Sequence, residues 1–420
     1  MEEILYLAHR IPYPPNKGDK IRSYHLLKHL SQRYRVHLGA FIDDESDRKY
    51  RNSVKSLCGE TCLINLNPAI ARMRSLSGFF SGQPLTLPYY RDSGLQQWIN
   101  NILETRTIRM ILVFSSAMAQ YVSQLEATPR IIDFVDVDSD KWMQYSSAKR
   151  WPMSWIYRRE SRLLLKHERW IAENFSNSTF VSRAEADLFK QLAPNAIKKI
   201  AYFNNGVDSD YFSPEHDFQN PYMEREPVLV FTGAMDYWAN VDAVDWFSRA
   251  IFPNVRMRFP KAEFFIVGAR PNPVVKALAK LPGITVTGSV PDVRPYLAWA
   301  SLAVAPLRIA RGIQNKVLEA MAMGKIVVAS PQAMEGIDAV PGQELIVAQN
   351  ESDFAEQIIT LLNDGTGQAI GTAARLCAVE RYSWKKNLTK IDALIVQAGK
   401  DGEVRMHVRS GETKLQEMRV

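Results

Sequence analysis

Two charged residues stand one helical turn apart in the segment Arg311–Ser330, which reads RGIQNKVLEAMAMGKIVVAS. They are Lys316 and Glu319, and they come shortly after the apolar run Leu302–Pro306. A helix beginning near Asn315 would present free amide groups and the positive end of its dipole, which bind anions, and the lysine would add a point charge. Glu319 can only accept hydrogen bonds when ionised, so it suits hydroxyl groups of a ligand. An ordinary surface ion pair on an amphipathic helix is the alternative.

The surrounding sequence alternates short apolar runs with stretches of helical periodicity, which predicts strands and helices in turn. The predicted strands are 4–8, 36–41, 110–114, 130–135 and 178–182, then 227–233, 262–268, 284–288, 302–305 and 326–330. Such alternation predicts two doubly wound, mostly parallel α/β sheets. Ligands of these sheets bind beyond the carboxyl ends of the strands, so we expect the site in the cleft between the two domains.

The composition is that of an ordinary globular chain with an excess of positive charge. The 420 residues are too many for one typical core, and the formal net charge is +7. Three cysteines do not make a disulfide framework, and no run of about 20 apolar residues could span a membrane. The first residues, MEEILYLAHR, do not resemble a signal peptide. These features predict a cytoplasmic protein.

Several short motifs follow one another in a familiar order. They are Asn16–Asp19, Phe180–Glu185, Phe203–Asp208 with Tyr211 and Phe212, Phe231–Gly233, Ile266–Gly268, Gly288–Val290 with Asp292, and Lys316–Gly324. The ordered set resembles the GT-B-fold retaining glycosyltransferases of family 4 over roughly residues 1–395. Three further segments, Asp133–Trp142, Gly233–Trp238 and Arg308–Lys316, are similar to the sugar transferases associated with exosortase and PEP-CTERM exopolysaccharide systems.

The resemblance implies an α/β GT-B fold with two Rossmann-like domains that face each other across a cleft. The expected boundaries are 1–205 for an acceptor-side domain and 206–380 for a nucleotide-sugar donor domain, with the junction at the turn signal Asn204–Asp208. A C-terminal helix at 381–398 is expected to pack back on the first domain. The polar segment 399–420 is expected to be a flexible tail.

The resemblance also implies an activity, namely hexosyl transfer from a nucleotide-diphosphate sugar, with retention, to a lipid-linked or growing saccharide in exopolysaccharide biosynthesis. Glu319 would hold the two hydroxyls of the donor's ribose. The nucleotide sugar is a substrate, and no cofactor is expected. The donor-binding residues implied are Gly18, Gly233, Val290, Asn315, Lys316, Val317, Leu318 and Glu319.

This chain departs from the family pattern at two places. The family usually carries a glutamate eight residues before the ribose-binding one, and here that residue is Arg311. Many relatives have basic residues in the loop after Gly233, but residues 235–240 contain none. The donor's phosphates would then be met by Lys316, by Arg311, or by the first-domain loop around Gly18, where Lys17 and Lys20 lie. That loop could instead be an ordinary turn.

The run Asp136–Asp140 contains three carboxylates that could contact a sugar, hold Mg²⁺ or Mn²⁺, or cap a helix. GT-B relatives generally work without a metal, so no metal site is predicted. Asp136 aligns near the position where relatives often have an active-site histidine. We therefore take Asp136, as an acid/base group, and Arg311 as the candidate catalytic residues.

Positive charge is concentrated with aromatic residues in Lys141–Trp170, which contains four tryptophans. Such a segment suits an anionic membrane surface, and Arg72–Arg74 with Phe79 and Phe80 could add to it. A helix that packs its aromatic face on the core is equally compatible. Polyprenyl-linked acceptors would fit an enzyme attached peripherally to the inner face of the cell membrane. Nucleic acid is not predicted as a partner, because no binding motif accompanies the charge.

Other functions remain open from the sequence. A nucleotide-sugar epimerase of GT-B fold would share the same motifs, and Arg311 in place of the usual glutamate keeps a non-catalytic glycan-assembly protein in consideration. A dinucleotide-dependent oxidoreductase is disfavoured, because no Gly-x-Gly-x-x-Gly follows the first strand of either domain.

Overall fold

A computed structural model describes residues 1–15, 18–147, 149–223, 227–310, 312–364 and 367–399. The chain divides into two compact units. The first unit comprises Met1–Asn204 together with the described residues 388–399, and the second unit comprises Asn205–Asn387.

The first unit is built on one parallel sheet of seven strands in the order β3-β2-β1-β4-β5-β6-β7. The strands are β1 (Glu3–Ala8), β2 (Arg35–Ile42), β3 (Thr61–Asn65), β4 (Ile108–Phe114), β5 (Arg130–Val135), β6 (Asn177–Phe180) and β7 (Ile200–Tyr202). The central strands are almost wholly apolar because both faces of the sheet are covered. The helices between them are α1 (Gly18–Ser31), α2 (Arg51–Lys55), α3 (Pro68–Ser75), α4 (Ser77–Ser81), α5 (Thr86–Tyr89), α6 (Ser93–Thr105), α7 (Asp138–Ser147), α8 (Met153–Asn174) and α9 (Arg183–Leu192).

The second unit repeats the plan with six parallel strands in the order β10-β9-β8-β11-β12-β13. The strands are β8 (Val228–Thr232), β9 (Glu263–Val267), β10 (Ile284–Gly288), β11 (Leu302–Ala305), β12 (Val327–Ala329) and β13 (Ile346–Val347). The helices are α10 (Trp238–Trp246), α11 (Phe252–Arg258), α12 (Pro273–Leu278), α13 (Arg294–Trp299), α14 (Asn315–Ala322), α15 (Pro331–Met334), α16 (Glu351–Asp364) and α17 (Gly367–Tyr382). A last helix, α18 (384–399), contributes its residues from Leu388 to the first unit, where Asp392 accepts hydrogen bonds from His29 and Arg33.

All ten predicted strands are present, and the prediction of two doubly wound parallel sheets is confirmed. Three strands were not predicted. β3 is an edge strand whose residues are only partly buried, so its sequence lacks a strong apolar run, and β7 and β13 have only three and two residues.

A fully buried ion pair fastens the first unit at the carboxyl end of its sheet. The guanidinium of Arg22 on α1 donates to both carboxylate oxygens of Asp133 on β5, at 2.7 and 3.1 Å. It also donates to the carbonyls of Phe203 and Phe180, at 3.0 and 3.4 Å, and lies 3.6 Å from the centre of the Phe203 ring. One side chain therefore holds together α1, β5 and the ends of β6 and β7.

We expect Arg22→Met to destabilise the first unit by about 3–5 kcal/mol, because it leaves Asp133 buried without its counter-ion. Arg22→Met with Asp133→Leu should recover much of this loss, and Arg48→Met, which removes an exposed pair with Glu45, should change stability by less than about 1 kcal/mol. Calorimetric melting of the three variants checks the ranking. Equal melting temperatures for Arg22→Met and Arg48→Met would contradict it.

Candidate functional site

The strand order of the second unit opens a crevice at the carboxyl ends of β8 and β11. The chain leaves β8 toward β9 on one side, whereas β11 lies on the other side of β8, so the connections diverge at this point. Ligands of doubly wound sheets bind at such a switch point. Gly233 follows β8 here, and α14 with Lys316 and Glu319 follows β11.

Glycines at the ends of β8 and β9 let the backbone segments approach closely. Gly233 and Gly268 have φ angles of 156° and 157°, and a Cβ atom on Gly268 would lie 1.6 Å from the carbonyl oxygen of Gly233. A Cβ atom on Gly233 would lie 2.8 Å from Nδ2 of Asn240 and 3.4 Å from Nζ of Lys316. Neither position accepts a side chain, and the floor of the crevice is therefore bare backbone.

Lys316 extends its ammonium group to this floor without a carboxylate within ion-pair distance among the residues that the structure describes. The ammonium donates to Oδ1 of Asn240 and lies 4.4 Å from the centre of the Phe231 ring. Removal from water lowers the pKa of Lys316 to about 7, although the charge of Glu319 acts in the opposite direction. The site thus holds a poorly solvated cation, which an anionic ligand would stabilise.

Glu319 lies one turn further along α14, and its environment is also poorly solvated. Burial raises the pKa of Glu319 to about 7, partly offset by the charge of Lys316. At the first position of the helix, Oδ1 of Asn315 is buried and finds no hydrogen-bond partner within the described parts of the chain. Two acceptor groups therefore flank the lysine, and both suit a donor such as a hydroxyl or amide of a ligand.

Among the described residues, no side-chain hydrogen bond caps the start of α14. Gln314, the N-cap residue, turns its side chain back to the carbonyl of Gly312, which has a positive φ of 65°. The amides of Val317 and Leu318 bond to the carbonyl of Gln314, at 2.9 and 3.4 Å, and their side chains are buried in the core. The side chains of Val317 and Leu318 thus anchor the helix to the core. Amides that could bind a ligand at this helix start belong to the residues that precede them.

The structure brings four of the predicted donor residues together at this crevice, namely Gly233, Asn315, Lys316 and Glu319. Val290 lies on the loop after β10 and packs partly buried against the core of the same unit. Arg311 and Lys17 lie outside the described residues. Sequence reasoning did not identify Asn240, since an asparagine on the first turn of α10 carries no signal of a contact 76 residues away.

Gly18 belongs to the first unit, where it is the first residue of α1. A Cβ atom there would meet no atom of the described residues within 4 Å, so packing within the chain does not require glycine at this position. The idea that Lys20 is available to a phosphate is wrong, because its ammonium is buried and paired with Asp47 at 2.9 Å.

A second concave site lies within the first unit, at the carboxyl ends of β1 and β4. The cavity has a volume of about 490 Å³. Aromatic and apolar side chains form most of its wall, and its polar lining includes His9, Ser115, Asp138 and Lys141. The aromatic lining is Tyr89, Tyr90, Trp142, Tyr145 and Tyr157. Sequence analysis did not predict this cavity or His9, because residues from six separate segments form it.

His9 follows β1 and has a fixed ring position. Its ring stacks on Phe114 at a centroid distance of 5.6 Å and meets Tyr90 edge-on at 5.8 Å. Its Nε2 lies 3.4 Å from the carboxylate of Asp19, which Arg10 also holds at 2.7 Å. The pKa of Asp19 is lowered despite its burial, because His9 and Arg10 both stabilise the ionised carboxylate.

The aspartates after β5 separate into two environments. Asp136 accepts a hydrogen bond from Lys141 at 2.5 Å, whereas Asp138 lies 3.5 Å from the same ammonium and lines the cavity. Burial raises the pKa of Asp138, and Lys141 only partly compensates. An ammonium thus bridges the two carboxylates. No group of three or more potential metal ligands occurs among the residues described.

Glu168 on α8 holds the start of α7 in place. Its carboxyl group accepts from the hydroxyl and the amide of Ser139 on α7, at 2.5 and 3.3 Å. Burial raises the pKa of Glu168 to about 8, and the charge of Asp138 adds to the effect. The start of α7, which carries Asp138 and Lys141 to the cavity, is thereby tied to α8.

Comparison with known proteins identifies the class of fold. Solved structures that match the chain include HepE of Anabaena in complex with UDP and glucose (14% identity, TM-score 0.66, covering 94% of this chain and 100% of that one). They also include sucrose-phosphate synthase of Thermosynechococcus elongatus (15%, 0.67, 97% and 100%) and WaaG, a glycosyltransferase involved in lipopolysaccharide biosynthesis (14%, 0.63, 92% and 99%). The protein has the GT-B fold of these structures.

The second unit gives a more particular match. Residues 226–364 match the family model described as "Glycosyl transferases group 1", a range that contains β8 to β13 and the crevice with Lys316. A search of curated proteins found no match. The family match supports a glycosyltransferase. No helix in the described ranges is both long and apolar enough to cross a membrane.

We expect Lys316→Met to raise the melting temperature by about 2–8 °C at pH 6.5, because the variant no longer buries a poorly solvated charge. The pKa of Lys316 falls from 10.5 to about 7 on folding, so the unfolded chain binds more protons between these pH values and the wild-type protein gains stability as pH rises. The advantage of the variant should therefore shrink toward pH 10. Scanning calorimetry from pH 6 to 10 checks this.

Lys276→Met, on the exposed face of α12, is the matched control and should leave the melting temperature nearly unchanged. A Lys316→Met variant that melts below the wild type at pH 6.5 would show that the ammonium stabilises the fold, and the expectation would fail.

Proposed function

We propose that the protein transfers a hexosyl group from a nucleotide-diphosphate sugar, with retention of configuration, to a saccharide acceptor. The observation that carries this proposal is the ammonium of Lys316, held at the switch point of the second unit by Asn240 and Phe231 with no carboxylate within ion-pair distance among the described residues. A diphosphate supplies the charge that this group needs.

The other features of the crevice suit the remaining parts of a donor. The start of α14 has no side-chain cap among the described residues, so it offers amide groups to phosphate oxygens beside Lys316. Glu319, one turn inside the helix, accepts the two hydroxyls of the ribose. In the transfer, the bond between the anomeric carbon and the diphosphate breaks, and the nucleoside diphosphate leaves with the electron pair. The oxygen of an acceptor hydroxyl forms the new bond to the anomeric carbon and gives up its proton to the departing diphosphate.

The positive charge of Lys316 should stabilise the leaving group during the reaction. Charge develops on the diphosphate as its bond to the sugar breaks, and Lys316 lies in a poorly solvated place where this charge interacts strongly with it. UDP-glucose is the first donor to try, since HepE, which shares the fold, has been solved in complex with it.

On the acceptor side, the proposal assigns a lipid-linked or growing saccharide in exopolysaccharide biosynthesis, at the inner face of the cell membrane. The cavity of the first unit supports it, because aromatic rings suit the apolar faces of sugar rings and the groups of Asp138 and Lys141 suit hydroxyls. Asp136 and Arg311 remain candidate catalytic residues. The transfer needs no metal or cofactor in this proposal.

A panel of UDP-, GDP-, ADP- and dTDP-sugars should raise the melting temperature of the wild-type protein with one nucleotide family only. Glu319→Gln should lose most of that shift, since the amide has one neutral acceptor oxygen where the carboxylate has two charged ones, one for each ribose hydroxyl. Glu356→Gln, an exposed change on α16, is the control. Thermal-shift measurements at 1 mM ligand compare the three proteins. A full shift in Glu319→Gln would remove the ribose role, and no shift with any nucleotide would count against the donor site.

The protein should take up protons at pH 8 when it binds the nucleoside diphosphate of its donor, for which UDP is tried first. Lys316, with a pKa of about 7, is then mostly neutral, and a bound diphosphate raises its pKa and protonates it. Glu319, with a pKa of about 7, is already mostly ionised and releases little. Calorimetric titration in two buffers of different ionisation enthalpy should show uptake approaching one proton in the wild type. Lys316→Met should show none, and equal uptake by both proteins would exclude this role of the lysine.

A further inference from the structure

The first unit exposes a group of large apolar side chains on one surface. They lie on α3, on α4 and its preceding residue, and at the start of α8: Ile70, Met73, Leu76, Phe80, Trp151 and Trp155. We call these six residues the α3–α8 surface. Met73, Trp151 and Phe80 are 74%, 82% and 93% exposed. Buried side chains stabilise a fold, but these three contribute almost no burial, so packing within the described chain does not explain them.

The two parts of the α3–α8 surface are held together by specific contacts. Trp155 stacks on Phe79 of α4 at a centroid distance of 6.2 Å, and Arg159 lies over the same ring and donates to the carbonyl of Gly78 at 2.6 Å. The next residue, Glu160, accepts hydrogen bonds from the amides of Leu85 and Thr86, at 2.6 and 3.0 Å. The apolar residues are therefore displayed on a fixed framework.

The charged residues within the two segments that carry this surface are all basic. Residues 61–91 contain three basic and no acidic residues, and residues 141–159 contain five basic and no acidic residues. Arg72, Lys149, Arg150 and Arg158 are exposed. Tryptophan and phenylalanine side chains flanked by arginine and lysine are the pattern of proteins that lie on a membrane, where the rings enter the headgroup region and the cations meet lipid phosphates.

The surface adjoins the 490 Å³ cavity through the same helices. Ser75 of α3 and Ile156, Tyr157 and Glu160 of α8 line the cavity, while their neighbours Met73 and Trp155 point outward. A molecule with an apolar chain in a bilayer and a sugar at its end would thus have both parts accommodated by adjacent regions of one unit.

We propose that the α3–α8 surface docks on an anionic bilayer, so that the cavity receives the sugar end of a lipid-linked acceptor. This inference rests on the proposed function for the nature of the acceptor, but the docking stands on the surface alone. The docking surface uses only the first half of Lys141–Trp170, the segment that the sequence suggested for membrane binding. The second half of this segment packs Leu164 and Glu168 into the core.

An anionic bilayer fits this surface better than a second copy of the chain does. In a two-fold dimer through the α3–α8 surface, the same basic residues would face one another without acidic partners, which costs free energy by like-charge repulsion. A bilayer supplies the opposite charge over the whole surface and accepts the apolar side chains at the same time.

The test is flotation of the full-length protein with vesicles of phosphatidylcholine containing 30% phosphatidylglycerol, at low salt. We expect the wild type to float with these vesicles, to float much less with pure phosphatidylcholine, and to lose most binding in 0.5 M NaCl. The triple variant Met73→Ser, Phe80→Ser, Trp151→Ser should bind at least tenfold more weakly. These exposed side chains make few contacts in the fold, so the variant should keep the melting temperature of the wild type.

A control removes three exposed apolar groups from the second unit, by Met257→Ser, Val274→Ser and Leu376→Ser. It should float like the wild type. A wild-type protein that stays unbound to anionic vesicles at low salt would overturn the docking, as would equal binding by both triple variants. Light scattering of the free protein tests the dimer, and a dimer dissolved by the Met73, Phe80 and Trp151 changes would also overturn it.

The nucleotide-induced shift in melting temperature, measured on the same proteins, separates this inference from the proposed function. A nucleotide shift without flotation would reject the docking and leave the donor site standing. Flotation without any nucleotide shift would leave the docking standing and count against sugar transfer. A triple variant that does not float but keeps the full nucleotide shift is the result expected if both proposals hold.

Discussion

In a sheet whose strands are all parallel, every segment that follows a strand leaves from the same edge, and both sites of this protein depend on that constraint. Where successive connections diverge from a central strand, they leave a crevice that no helix covers. In the second unit the crevice lies between β8 and β11 and collects Gly233 and Lys316. In the first unit the equivalent point lies between β1 and β4, where His9 and Ser115 line the cavity.

A lysine is removed from water at each site, but neighbouring carboxylates compensate for this loss at only one of them. Lys316 has an amide and a ring as neighbours, and the pKa of its ammonium falls because neither replaces the lost water fully. Lys141 is also removed from water, yet Asp138 and Asp136 more than compensate, and its pKa rises. The first lysine is therefore prepared for an incoming anion, whereas the second already has its partners and serves to hold two carboxylates in place.

The described part of the molecule has a buried ion pair in its interior and exposed apolar side chains at its surface. Arg22 and Asp133 lie fully buried at the carboxyl end of the first sheet, where their bonds join one helix to three strands. Outside this core, Met73, Phe80 and Trp151 remain exposed beside basic residues. A poorly solvated cation reduces stability, and exposed apolar groups contribute little to it, so the presence of both is consistent with binding of an anionic donor and of an anionic surface.

The sequence by itself determined the ten main strands and the type of both sheets, because burial on two faces demands continuous apolar runs that are visible in the chain. It also determined Lys316 and Glu319 as a pair, since one helical turn fixes their spacing. Only the tertiary structure decided that Asn240 holds the lysine, that Lys20 is buried against Asp47, and that the cavity forms around His9. These contacts join segments far apart in the chain, and no local pattern of residues records which distant segments will meet.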